Sequence, residues 1–311
     1  MMLLKYHVFA AKLFACLLCF GVFFYFTPAE TWAELLRLNW RILPLLVLAL
    51  IAIMFALPSL RLYLLLRPQL GSLTFAPIFY SAFVSYFAGT FMPLTVAGDV
   101  ARFFWLDRRL VDADKSRLLS GMILDRVLNF FVNVLLFAGL AVWMARELPL
   151  DVEVLRAAAP LLAALVLALV VGIVLFARAL RKRAFIADLL QALKSYSGHP
   201  ARLAVCVFIS AAVFALTFAC ILYPAIWAVE VDLPWDAVFF VVLAASLLSL
   251  IPIAPGGLGF MEMSQAGMLT FFSCPAAQAA QIVILLRCVS LLASVPGGVL
   301  LFWAKKHKRS Q

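Results

Sequence analysis

Charge is what this 311-residue sequence has least of: Asp, Glu, Lys and Arg together make up 13% of it. A soluble domain needs roughly a quarter charged residues to cover its exterior, so an ordinary soluble protein is excluded. Polar stretches long enough for a soluble catalytic domain are missing too. Histidine is scarce. His7, His199 and His307 all fall in basic flanking segments, so neither imidazole catalysis nor a zinc site is expected. The six cysteines (Cys16, Cys19, Cys206, Cys220, Cys274 and Cys288) lie in apolar segments without metal-ligand companions, where they read as small apolar side chains. No GxxxxGK[ST] phosphate loop occurs, so this chain is not expected to hydrolyse ATP. No small-x-small cleavage site follows the first apolar run, which ends in "YFTPAETW"; the run reads as an uncleaved first span.

What is there instead is apolar: 67% hydrophobic residues, with a mean hydropathy of +1.11. Runs of about 18–22 such residues recur along the chain, the length needed to cross a bilayer as a helix. Lipid cannot hydrogen-bond the backbone, so each crossing segment must pair its own amides. The expectation is an all-α polytopic membrane protein. Six full spans are predicted over 9–27, 42–62, 117–143, 160–179, 203–229 and 278–303. Trp32, Trp40, Trp105, Trp143, Trp227, Trp235 and Trp303 fall near the proposed edges, where amphipathic rings belong.

The net charge of +10 does not point to nucleic acid, because its basic residues gather in short clusters between spans. Counting only Lys and Arg, "ARALRKR" and the terminal "KKHKR" mark cytoplasmic loops, whereas "EVDLPWD" carries only acids. Arg61 and Arg67 are read as the basic cluster that follows the second span. This places both termini in the cytoplasm. The segment "AFIADLLQALKSYSGHP" has helical spacing of apolar residues and is expected to lie along the cytoplasmic surface.

Two apolar regions, 72–105 and 236–276, are too long for one span and contain helix breakers. Basic loops flank the first at both ends, so it starts and finishes inside; the second must start and finish outside. Two broken or re-entrant helical hairpins from opposite faces satisfy both conditions. The order span, span, hairpin, span then occurs twice, in 1–143 and, inverted, in 144–311. Inverted repeats with Gly/Pro-broken segments mark a transport site near the bilayer midplane.

Six ionisable residues remain in or beside the apolar segments: Asp99, Arg102, Asp125, Arg126, Glu262 and Arg287. Each would cost about 2.5–3.5 kcal/mol near a helix centre, so each is expected to face protein or water. "MPLTVAGDVAR" supplies Pro93, Gly98, Asp99 and Arg102; "APGGLGFME" supplies Pro255, Gly256, Gly257, Gly259 and Glu262. Asp99 and Arg126 are 27 positions apart, and Glu262 and Arg287 are 25 apart. Proline removes an N–H and glycine permits sharp turns, so the hairpin tips free backbone groups for a ligand. The limb after such a turn presents amides and a positive dipole end to an anionic group such as phosphate. A plainer reading stands beside this one: Asp125 and Arg126 pair with each other locally, Arg102 snorkels to the cytoplasmic interface, and the ion pairs only fix packing. "SVPGGVL" reads as a kink or a close helix contact.

"GDVAR" after a proline-broken helix, then "LDRV", then "PGGLGFME" and a lone arginine in the last span together resemble the lysylphosphatidylglycerol synthase transmembrane-domain family, over roughly residues 10–303. The resemblance implies a flippase-like lipid translocator in the bacterial cytoplasmic membrane, without the synthase activity carried by a soluble domain in that family. The tip "MPLTVAGD" departs from the usual Pro-Gly-rich form, and the lipid stays unnamed. Asp99, Arg102, Asp125, Arg126, Glu262 and Arg287 are then substrate-binding residues, with no catalytic residue, metal or cofactor. A membrane lipid is the expected partner, and a lipid-synthesis enzyme is a candidate second one. Two alternatives remain: a non-transporting lipid-binding accessory subunit, and an intramembrane enzyme using Asp99, Asp125 or Glu262 as acid or base.

Overall fold

A computed structural model describes residues 25, 41–70, 73–91, 97–110, 114–147, 200–249 and 259–307, all in helices and short connections. Eight helices can be followed. α1 covers 42–70, as Ile42–Leu50, a π segment Ile51–Ala56, and Leu57–Leu70. α2 is Phe75–Phe91, α3 is Ala97–Asp107 and α4 is Lys115–Glu147. α5 covers 200–227, as Pro200–Thr217, a π segment Phe218–Leu222, and Tyr223–Trp227. α6 is Trp235–Leu248, α7 is Phe260–Phe271 and α8 is Ala276–His307.

Four of these (α1, α4, α5 and α8) are long and apolar enough to cross a membrane, so the protein is a polytopic α-helical membrane protein. The other two expected spans, 9–27 and 160–179, lie outside the described residues except for Tyr25. α3 and α7 have 11 and 12 residues, about 16–18 Å of helix, and fall well short of a hydrocarbon core about 30 Å thick. The expected interruptions at 72–105 and 236–276 are therefore real: α2 with α3, and α6 with α7, are the paired limbs. Pro93, Pro255, Gly256 and Gly257 lie outside the described residues.

One boundary needs correcting. α1 does not stop near residue 62, and Arg61 is not in a loop; the span continues to Pro68. The helix accepts Arg61 because its side chain is 4% exposed and paired. Proline 58 does not end α1 either. A proline clashes with the carbonyl four residues back, and the π segment that ends two residues earlier accommodates it. The same arrangement occurs in α5, whose π segment ends at Leu222, two residues before Pro224.

α8 is the most enclosed span, with 44% of its apolar window buried against 28% for α1. It packs on α2, α7 and the start of α1, while α6 packs on α4. Phe55 stacks on Phe83 at 4.5 Å and meets Tyr86 edge-on at 5.0 Å, joining α1 to α2. The tryptophans divide. Trp143 and Trp235 are about half exposed and lie 6.3 Å apart, and Trp227 is exposed, as interface rings should be. Trp105 is buried instead, in a cluster shared with residues of α1, α2 and α4, with the Arg109 guanidinium 4.1 Å above its ring.

Glycine permits two close approaches. A Cβ on Gly98 would stand 2.7 Å from the Ser85 carbonyl oxygen, so α3 lies directly on α2. A Cβ on Gly297 would collide with the Phe83 carbonyl, and one on Gly298 would stand 2.8 Å from the Phe87 ring. "SVPGGVL" is thus a close helix contact. Gly297→Ala should separate α2 from α8 and lower the unfolding temperature in detergent. Gly267→Ala, which meets nothing within 4 Å, should be neutral or stabilising by up to about 1 kcal/mol.

Candidate functional site

Three ion pairs organise the helices. Two join the residues whose spacing matched in sequence. Arg126 Nη2 lies 2.5 Å from Asp99 Oδ1, and Arg287 pairs with Glu262. Asp99 is the third residue of α3 and Glu262 the third of α7. Arg126 is the twelfth residue of α4 and Arg287 the twelfth of α8. Eleven helical steps rise about 16 Å, which puts both arginines near mid-depth of a core about 30 Å thick.

The third pair was not anticipated. Arg61 meets Asp125 with Nε to Oδ1 at 2.6 Å and Nη2 to Oδ2 at 3.1 Å, a two-pronged contact. Its Nη1 donates to Asn129 Oδ1 at 2.6 Å and to Ser210 Oγ at 2.8 Å. One buried guanidinium therefore ties α1, α4 and α5 together, and Arg forks suit that role better than a lysine point charge. Asp125 and Arg126 do not pair locally as the plainer reading had it. They are successive residues on a helix, about 100° apart, so each turns to a different neighbour.

Arg102 is also corrected. It does not reach an interface, being 7% exposed, and its Nε donates to Ser81 Oγ at 3.1 Å.

The environments of the two matched pairs differ. Asp99 and Arg126 have side chains 40% and 59% exposed, whereas Glu262 and Arg287 are 6% and 20% exposed. Gly259 caps α7 with φ of 80°, a conformation that favours glycine, and its N–H donates to Glu262 Oε2 at 2.7 Å. Glu262 thus closes the first turn of α7 with one oxygen and holds Arg287 with the other. This pair lines a cavity of about 430 Å³ between α1, α2, α5, α6, α7 and α8, within the size range of small-ligand sites. Tyr86, Thr217, Ser246, Ser249, Gln265 and Ser290 supply its other polar groups.

Both π segments border this cavity. Thr217 Oγ1, at the start of the second, lies 3.6 Å from Met54 Sδ in the first. Such segments often mark functional positions in helices. A second hollow of about 740 Å³ sits further along the same α1–α5 seam, lined by Arg41, Leu45, Tyr223, Trp227, Glu230 and Asp232. No group of three or more His, Cys, Asp or Glu side chains that could hold a metal occurs among the described residues.

Sequence reading found the matched pairs but missed Arg61, Asn129, Ser210, Tyr86 and Thr217. The available signal was a lone arginine between leucines in "LPSLRLYLLL", together with small polar residues inside apolar spans. Arg61→Ala should destabilise the folded protein by about 3–5 kcal/mol, because it strands Asp125 in the interior. The double change Arg61→Met with Asp125→Leu should cost less than Arg61→Ala alone. Unfolding in mixed micelles measures both.

No curated protein and no solved structure matches the chain. The family described as the lysylphosphatidylglycerol synthase TM region matches residues 9–298, nearly the whole length, and together with the spans and paired intramembrane charges this makes the chain a member of that lipid-related family of membrane proteins.

Proposed function

We propose that this protein is a flippase-like transporter, moving a lipid with a polar headgroup across the bacterial cytoplasmic membrane. The observation that carries the reading is the Glu262–Arg287 pair in a 430 Å³ cavity at mid-depth, where one limb of a broken hairpin begins. A buried ion pair facing a cavity inside a membrane segment is a functional site by default. The headgroup would occupy the cavity while the acyl chains stay in the bilayer. The two hollows stacked along the α1–α5 seam offer the headgroup a route from one membrane face toward the centre.

Matched features support an inverted repeat, 1–143 with 144–311, and hence alternating access. The acids fall at the third residue of α3 and α7, and the arginines at the twelfth residue of α4 and α8. Each half also has a π segment two residues before a proline in its second span. The contacts are reciprocal: α2 of the first hairpin lies on the last span of the second half, and α6 of the second hairpin on the last span of the first. The basic clusters favour cytoplasmic termini in this reading. The site acids are engaged by arginines, an arrangement suited to binding rather than to proton transfer, so the protein is read as a carrier and not an enzyme. A separate synthesising enzyme would supply the lipid.

Liposomes carrying cationic and anionic lipids, with the purified protein inserted, provide the test. Wild type should exchange at least one labelled lipid between leaflets, and folded Arg287→Ala and Glu262→Gln should lose about tenfold or more of that rate. Absence of exchange across a broad panel would favour a lipid-binding accessory subunit. Full exchange by both mutants would reduce the pair to a packing element.

A further inference from the structure

The Glu262–Arg287 cavity carries no net charge. Among the described residues that line it, Glu262 is the only acid and Arg287 the only base. Both carboxylate oxygens of Glu262 are engaged, Oε1 by the Arg287 guanidinium and Oε2 by the Gly259 N–H. A phosphate entering here would have to draw Arg287 away from Glu262. An ammonium would meet a carboxylate whose charge is already matched. Either ion would be buried without a counter-charge of its own, which is costly.

The neutral groups carry a more specific signal. Thr217 Oγ1 donates to the Val213 carbonyl at 2.6 Å, Ser290 Oγ to that of Leu286 at 2.9 Å, and Ser249 Oγ to that of Ser246 at 2.6 Å. All three residues line the cavity. A hydroxyl has one proton and two lone pairs, and each of these uses its proton on its own helix. They are left able to accept from a ligand but not to donate to one. Ionised phosphate oxygens also only accept, so they would meet lone pair against lone pair. The Arg287 guanidinium and the Gln265 amide, on the same cavity wall, are able to donate. The matching ligand is therefore uncharged, and both donates and accepts at several points. A sugar ring or other polyol does so at every hydroxyl.

We propose that the group admitted to this cavity is a neutral polyol, such as a glycosyl ring. It donates to Thr217, Ser249 and Ser290 and accepts from Arg287. The polyol belongs either to a lipid headgroup or to a free sugar; the hydrogen bonding is the same. As a headgroup it names the substrate class of the proposed transporter, and to that extent rests on that reading.

The test uses the full chain in polyoxyethylene detergent micelles, which contain no sugar, with unfolding temperature as the readout. The probes are glucosyl dioctanoylglycerol, free glucose, dioctanoylglycerol and dioctanoyl phosphatidic acid. The glucosyl lipid should raise Tm of the wild type at a concentration about tenfold or more below that needed of dioctanoylglycerol or the phosphatidic acid. Thr217→Val and Ser290→Ala should each raise the concentration required about three- to tenfold. Ser294→Ala should leave it unchanged, because Ser294 also donates to its own helix, at Leu291, but is fully buried away from the cavity wall. An effect of the glucosyl lipid that glucose does not match would assign a headgroup. An equal effect of glucose, weakened in the same two variants, would assign a free sugar. Equal potency of the phosphatidic acid, no shift with either sugar probe, or a glucosyl-lipid effect unchanged in both variants would each overturn the proposal. Leaflet exchange in liposomes separates the two claims. Binding of the glucosyl lipid without exchange of any lipid would keep this inference and defeat the transporter reading; exchange of charged lipids alone would do the reverse.

Discussion

A guanidinium inside a bilayer needs a carboxylate, and the helices of this protein are arranged to provide one. Leaving an arginine alone at a helix centre costs about 2.5–3.5 kcal/mol, while a well-formed buried pair roughly offsets its own desolvation. The pairs therefore act less as a source of stability than as fixed joints. Arg61 holds α1, α4 and α5 to one another, Asp99 holds α3 to α4, and Glu262 holds α7 to α8. Both hairpins are fastened near the start of their second limb, beside the break. A break is tolerable in lipid only where protein or water meets the freed backbone groups, and Glu262 does so for Gly259.

The joints are not equivalent. The first half has a two-pronged ion pair buried among α1, α4 and α5, with no counterpart among the described residues of the second half. Its hairpin pair, Asp99 with Arg126, is open. The second half has the opposite distribution: one pair, closed and facing a cavity. The contact of Met54, in the first π segment, with Thr217, just before the second, lies at the cavity wall. There helices α1 and α5 have the looser turns that a change of crossing would use.

What could be read from sequence was whatever repeats or lies close along the chain. Apolar length marked α4, α5 and α8 to within about four residues, and Gly/Pro breaks located both hairpins. Similar acid-to-arginine separations, 27 and 25 positions, pointed to the two hairpin ion pairs. Arg61 escaped because its partner is 64 positions away and its neighbours Pro58 and Arg67 resemble the end of a span. Asn129 and Ser210 escaped because a small polar side chain in an apolar helix carries no mark of the distant group it serves. Trp105 looked like an interface ring, but it is buried in a cluster shared with residues of α1, α2 and α4. In each case tertiary contact overruled a local rule.

The central claim is that the Glu262–Arg287 cavity opens alternately to the two sides of the membrane. The most direct measurement places a single cysteine at Gln265, a residue lining the cavity, in a chain whose native cysteines are replaced. Membrane-impermeant thiol reagents are then applied to oriented vesicles from each side in turn. Alternating access predicts labelling from both sides, with the balance shifted when a transported lipid is added. Labelling from one side only, unchanged by any lipid, would contradict it and leave a binding pocket without a passage.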